Sequence, residues 1–264
     1  LAVKKLLLVA CMSAALPVCA IAQDAIEGTW KLDLAKAQMP AKPFVFLLQN
    51  GTWSCKTCTP PVTVKANGSD QKVSGHPYYD TVAVKVVDQH TVQETDKENG
   101  KVVTTSSMTV SADGRTASFE YSDSSNTNAA PVTGKGTDTR VAKGPAGAHA
   151  ISGSWRTTSF QNVSDNGLTF TYAMKGDSLS MSTPTGQSYT AKLDGTDAPY
   201  KGDPGTTSVS VKRLGKNVVQ ETDKRDGKPI NVSTMTVSAD GKTLSIAFKD
   251  LLQGSTSSFV AKKQ

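Results

Sequence analysis

Apolar and polar residues alternate along most of this chain with a period of two. Thr81–Val87 puts Val82, Val84 and Val86 on one face, and Thr91–Lys97 follows across a short turn. No apolar series at helical spacing persists over three turns. Such short alternating runs predict strands. Asn99-Gly100 and Asp226-Gly227 predict hairpins, because both dipeptides tolerate the positive φ of a type I′ turn. Asp113-Gly114 and Asp240-Gly241 predict two more. Each of these is followed by an alternating strand: Ala117, Phe119 and Tyr121 in one case, Leu244, Ile246 and Phe248 in the other.

The same pattern occurs twice. Asn67–Asp123 realigns on Asp194–Asp250 at a constant shift of 127 residues without a gap. Val-Gln-Glu-Thr-Asp-Lys at 92–97 returns at 219–224, and Met-Thr-Val-Ser-Ala-Asp-Gly at 108–114 returns at 235–241. Upstream, Ile26-Glu27-Gly28-Thr29-Trp30-Lys31 returns as Ile151-Ser152-Gly153-Ser154-Trp155-Arg156. A period this long exceeds the roughly 20–50 residues of solenoid units and marks a duplicated domain. The expected organisation is one domain over 24–143, a small-residue linker at 144–150 and a second domain over 151–264. Each is read as an all-β array of antiparallel strands. Sequential hairpins close most simply as an up-and-down barrel, which removes exposed edges.

The first 22 residues have the pattern of an export signal. Lys4 and Lys5 precede an apolar stretch, and Ala20-Ile21-Ala22 is an A-x-A cleavage pattern. This predicts a periplasmic or secreted protein. Leu8-Val9-Ala10-Cys11 offers the rival reading of a lipoprotein, disfavoured because only five apolar residues precede the Cys and apolar sequence continues beyond it. No later segment approaches the length of a membrane-spanning helix. The formal charge of +6 includes Lys4 and Lys5, and the remaining basic residues are scattered among acids. That distribution argues against nucleic acid as a partner. Of four cysteines, Cys55 and Cys58 lie beyond the signal. A structural disulfide is the expected state, with a free or metal-binding pair as the other reading.

Gly28-Thr29-Trp30 and Gly153-Ser154-Trp155, each near a domain start, resemble the Gly-x-Trp motif of the lipocalin superfamily. Gly-Thr-Trp-Lys-Leu-Asp-Leu-Ala-Lys with the later Asp-Gly hairpins also looks like secreted bacterial lipocalin-like proteins, mostly of unknown function. The resemblance implies two lipocalin-like barrels, each plugged at its closed end by Trp30 or Trp155 beneath an Arg from the last strand. Arg140 is the candidate Arg of domain one. Phe259 stands in the corresponding place of domain two, where the pattern departs.

Two carboxylates recur in each copy: Glu94 with Asp96, and Glu221 with Asp223. Residues two apart share a strand face, so Val92, Glu94 and Asp96 point together, as do Val219, Glu221 and Asp223. Two readings follow. The acids enter the barrels and meet a cationic or hydrogen-bonding ligand, or they face outward and pair with Lys85 and Lys212. Further candidate lining residues are Val82, Val84, Met108, Val110, Phe119 and Tyr121, matched by Val209, Val211, Met235, Val237, Ile246 and Phe248. His76, His90 and His149 form no ligand spacing, and no nucleophile, phosphate-loop or zinc motif is present. General acid–base catalysis would need positioning groups that the sequence does not offer. The expectation is a non-catalytic protein, without cofactor or metal, that binds a small hydrophobic or amphipathic molecule in a barrel. The alternative is a structural or envelope-interaction module with filled barrels.

Overall fold

The computed structural model describes residues 24–125 and 129–264; the signal expected at 1–22 lies outside them. In chain order the strands are β1 Gly28–Leu32, β2 Phe44–Gln49, β3 Thr52–Cys55, β4 Val62–Lys65, β5 Gln71–Lys72, β6 Thr81–Val86 and β7 Thr91–Glu98. Then come β8 Lys101–Val110, β9 Thr116–Asp123, β10 Val132–Lys143, β11 Gly153–Gln161, β12 Thr169–Lys175, β13 Ser178–Ser182 and β14 Ser188–Lys192. The last six are β15 Asp194–Lys201, β16 Ser208–Gly215, β17 Val218–Arg225, β18 Lys228–Val237, β19 Thr243–Asp250 and β20 Ser255–Lys263. They form two antiparallel ten-stranded sheets, one a closed barrel and one nearly closed. Asn99-Gly100 and Asp226-Gly227 take φ values of 53°, 79° and 51°, 77°, as type I′ turns require. The Asp113-Gly114 and Asp240-Gly241 turns are longer, and in each the Asp side chain accepts hydrogen bonds within the loop.

The division between the sheets differs from the expected boundaries at 143 and 151. The first barrel is β2 to β11, and the second is β12 to β20 together with β1. β1 lies between β12 and β20, while β11 lies between β10 and β2. Each Gly-x-Trp strand therefore closes the barrel built from the other repeat. Residues 144–150 are correspondingly not a linker between domains. They belong to the tight connection from β10 to β11 inside one barrel, with Gly144 N–H donating to Ser152 O and His149 N–H to Leu48 O. The crossings between barrels lie elsewhere, at 33–43 and 162–168, and each contains a single 3-10 turn.

Loop-closure entropy does not drive this choice. The short β10–β11 connection stands in for the equally short one that β1 could make to β2, and the first barrel keeps one closure of roughly 100 residues, now between β2 and β11. β1 reaches β12 and β20 across roughly 140 and 220 residues, longer than the paths β11 would span there. The two Gly-x-Trp strands are similar enough to fill either place.

Trp30 and Trp155 are both fully buried. Each indole N–H donates to the carbonyl four residues earlier, Ile26 O and Ile151 O, at 2.8 Å. The Arg140 guanidinium lies 3.9 Å from the Trp155 ring centroid and donates to the carbonyls of Gly114, Ser152 and Ala150. Arg140 thus covers the Trp of the second repeat rather than Trp30. Gly153, at φ 135°, makes this approach possible, since a Cβ there would sit 2.3 Å from Ala142 O and 2.7 Å from Arg140 Nη1. In the second barrel the equivalent cation is Lys263, opposite Trp30 and 4.9 Å from its ring centroid. Phe259 instead faces Ile246 across the sheet, where the first barrel has Gly136 facing Phe119. The β19–β20 loop is shorter than the β9–β10 loop, so the uniform repeat shift ends at that hairpin.

The first barrel's seam lies between β4 and β5. There the Gln71 side chain acts as a strand edge: its Oε1 accepts from Lys65 N–H at 2.8 Å, and its Nε2 donates to Lys65 O at 2.6 Å. An isolated bridge between Asn67 and Lys85 continues the seam.

Two outcomes test this fold. Trp30→Ala and Trp155→Ala should each cost about 3–5 kcal/mol, the usual loss for a buried large aromatic. A fragment spanning 38–161, which lacks β1 but keeps β11, should melt cooperatively in a thermal scan. Absence of a transition would show that the first barrel depends on more than its ten strands.

Candidate functional site

The strand pairing settles the orientation of the acids. Glu94 stands opposite Val84 and Asp96 opposite Val82, two of the most deeply buried residues. Glu221 and Asp223 stand opposite Val211 and Val209 in the same way. Both pairs therefore face the barrel interiors. The outward reading with Lys85 and Lys212 fails on parity, because those lysines sit opposite Gln93 and Gln220 on the other face of the sheet.

In the first barrel, burial is the main force on the acids. It raises the Glu94 carboxyl to about 7, against a hydrogen bond from Trp53. Asp96, only 7% exposed, is raised to about 8 by burial and then by the charges of Glu94 and Asp123. Its Oδ1 is buried without a hydrogen-bond partner. In the second barrel the Tyr189 hydroxyl donates to Glu221 Oε2. Burial and the neighbouring Asp223 push Glu221 well above the usual carboxyl range. Asp223 rises to about 6 through burial, and its Oδ1 also lacks a partner. The aromatic donor thus comes from β3 in one barrel and from β14 in the other.

The interiors have diverged. The Phe119 and Tyr121 rings lie over Gly136 and Gly134, where an added Cβ would come within 2.2 Å and 2.7 Å of them. Phe119 also meets Phe160 edge-on, and Phe46 stacks on Trp53. A depression of about 520 Å³ on this barrel crosses β7 to β10. It touches Glu94 and Tyr121, but Gln93, Thr95, Thr105, Ser107, Glu120 and Lys135 around it have the outward parity. The second barrel holds a cavity of about 210 Å³ lined by residues of inward parity: Phe170, Tyr172, Met181, Thr183, Glu221, Ser233, Met235 and Ile246. Neither a protein-family model nor a curated protein matches this chain.

Of the candidate lining residues, Glu221, Met235 and Ile246 converge on this cavity, whereas Phe248 is not among its walls. Met108 packs on the first barrel's core. Sequence reasoning missed Phe170, Tyr172, Met181 and Thr183, as well as the Tyr189 donor. Their only signal was local alternation, because β12 to β14 lie outside the ungapped repeat. Cys55 and Cys58 are joined as a disulfide. The hairpin pairing makes Met181 the counterpart of Cys55, since Trp53–Val64 and Cys55–Val62 correspond to Leu179–Ala191 and Met181–Tyr189. His76 stacks on Tyr79, while the His149 Nε2 meets Asp88 O and the His90 N–H donates to Asp88 Oδ1. Among the described residues no group of three or more His, Cys, Asp or Glu could hold a metal ion, and no helix is long and apolar enough to cross a membrane.

The raised carboxyls make stability pH-dependent with a definite sign. The folded chain holds protons on Glu94 and Asp96 that the unfolded chain releases near pH 4, so stability falls as pH rises from about 4 to about 8. At about 1.4 kcal/mol per pH unit, the Glu94 shift alone amounts to about 3 kcal/mol. Denaturant titrations at opposite ends of this window should show the loss, and Glu94→Gln with Asp96→Asn should reduce its slope, the remainder belonging to Glu221 and Asp223. An unchanged slope in the double variant would mean that the acids are solvated.

Proposed function

We propose that this protein is a non-catalytic binding protein that holds a small, partly apolar molecule inside its second barrel. One observation carries the reading: a cavity of about 210 Å³ combines aromatic and methionine walls with one carboxyl, that of Glu221. Binding sites typically join an apolar lining to a few placed polar groups. The volume limits the occupant. Ligand pockets usually run to roughly 300–1,000 Å³, so the molecule is smaller than a drug-sized ligand or a long acyl chain. A lipocalin-like character fits the Gly-x-Trp plugs with a cation over each ring. An exported setting fits the Cys55–Cys58 disulfide, because such bonds persist in oxidising compartments.

The first barrel favours a different role. The rings over Gly134 and Gly136 occupy its interior, which supports a structural module there. The duplication would then have left one barrel for binding and one for support.

Methionine methyl resonances test the reading. Titrating benzyl alcohol into the whole chain should shift Met181 and Met235, which line the cavity, and leave Met108 in place. Ile246→Phe, which fills the cavity, should abolish the shifts. No movement at Met181 or Met235 in the parent protein would remove the binding role.

A further inference from the structure

The hydrogen-bonding inventory of the second barrel is lopsided. Glu221 is 8% exposed and receives one hydrogen bond, from Tyr189, on Oε2. Asp223 Oδ1 is buried and receives none. Most donors nearby are already engaged: Tyr189 on Glu221 itself, Asn231 on Asp223, and the Tyr172 hydroxyl on Met235 Sδ at 3.0 Å. Thr183 is turned to Gln187, which leaves the Ser233 hydroxyl, opposite Glu221, as the remaining side-chain donor of the cavity. No Lys, Arg or His lines it. The titratable groups facing the carboxyl pair are Tyr172 from β12, Tyr189 from β14, Tyr200 from β15 and Asp203 from the following loop. None is cationic. The Arg225 guanidinium, on the same strand, is turned to the Gly205 carbonyl at 2.7 Å.

We infer that the second barrel selects a small primary amine, bound as its ammonium ion with the head on Glu221, the one carboxyl of the cavity wall, and the apolar body against Phe170, Met181 and Ile246. This rests on the binding reading above and names its ligand class. An ammonium brings three N–H donors and no acceptor, which is the complement of what the cavity leaves open. Aromatic faces add a second attraction for a cation; Phe170 and Tyr172 meet edge-to-face beside the carboxyl, 5.6 Å between centroids. A neutral alcohol would satisfy one acceptor and supply no positive charge to take the place of the carboxyl proton. A carboxylate ligand would add a like charge to the pair.

The proton balance gives the inference a signature. Burial keeps at least one proton on the pair in the empty protein. Entry of R–NH3+ replaces that proton as the positive partner. The carboxyl O–H bond breaks, its electron pair stays on oxygen, and H+ leaves to solvent. Affinity for the amine should therefore rise with pH until the amine itself loses its charge.

Calorimetry on the whole chain with benzylamine, benzyl alcohol and benzoate tests this. Near pH 7.5, benzylamine should bind at least about tenfold tighter than benzyl alcohol, and benzoate should be weakest. Binding of benzylamine should release close to one proton, read from buffers of different ionisation enthalpy. Near pH 5.5 its advantage should shrink by about tenfold or more. Glu221→Gln should reduce benzylamine to the level of benzyl alcohol without weakening the alcohol. If the alcohol binds as tightly as the amine, or the amine shows no proton release, the amine inference is overturned while the cavity remains a binding site. If none of the three binds, both fall together.

Discussion

The indole plugs are the interaction on which the rest depends. Trp30 and Trp155 each anchor a strand that closes the barrel of the opposite repeat, tied to the carbonyl four residues back and covered by Lys263 or Arg140. A barrel without its plug strand would expose two edges and admit water to the interior. The burial that raises Glu94, Asp96, Glu221 and Asp223 follows from that closure. Because the closure is reciprocal, neither repeat completes its interior alone.

The repeats also meet through one loop and its own counterpart. Tyr78 packs on Gly205, the residue at its matching repeat position, and its hydroxyl donates to Asp203 Oδ1 at 3.0 Å. A residue touching its own equivalent marks a local two-fold relation, as in an isologous dimer. Two tyrosines could not occupy this point, since a Cβ on Gly205 would lie 2.0 Å from the Tyr78 oxygen. The contact is therefore a large residue against a small one, an asymmetry that two identical copies could not supply. The interiors follow the same course. Phe119 over Gly136 gives way to Ile246 opposite Phe259, and a cavity is present where the Glu221 side chain points.

Much of the fold was legible because strand pattern and turn chemistry are local. Val82, Val84 and their matches gave the inner face, and the Asn-Gly and Asp-Gly dipeptides gave the hairpins. The exchange of β1 and β11 was not legible. Ile26–Lys31 and Ile151–Arg156 are near-equivalents, so their side chains suit both places, and the connections from β1 to β2 and from β10 to β11 are of similar length. The acids illustrate the same boundary. Their parity with Val92 and Val219 could be read, but which face was inner depended on long-range pairing. The cavity walls contributed by β12 to β14 come from the least repeated part of the chain, where no internal comparison was available.

Engineered cysteines across the exchanged seam test the reciprocal closure most directly. Lys31 stands opposite Lys262 on β20, and Arg156 opposite Thr139 on β10. Directly paired strand residues lie within about 4.5–5.5 Å at Cα, a span a disulfide accepts. Lys31→Cys with Lys262→Cys should form an intramolecular bond on mild oxidation, mapped by peptide mass, whereas Lys31→Cys with Thr139→Cys should not. Efficient linkage of residue 31 to residue 139 would place β1 in the barrel of its own repeat and contradict the reciprocal closure.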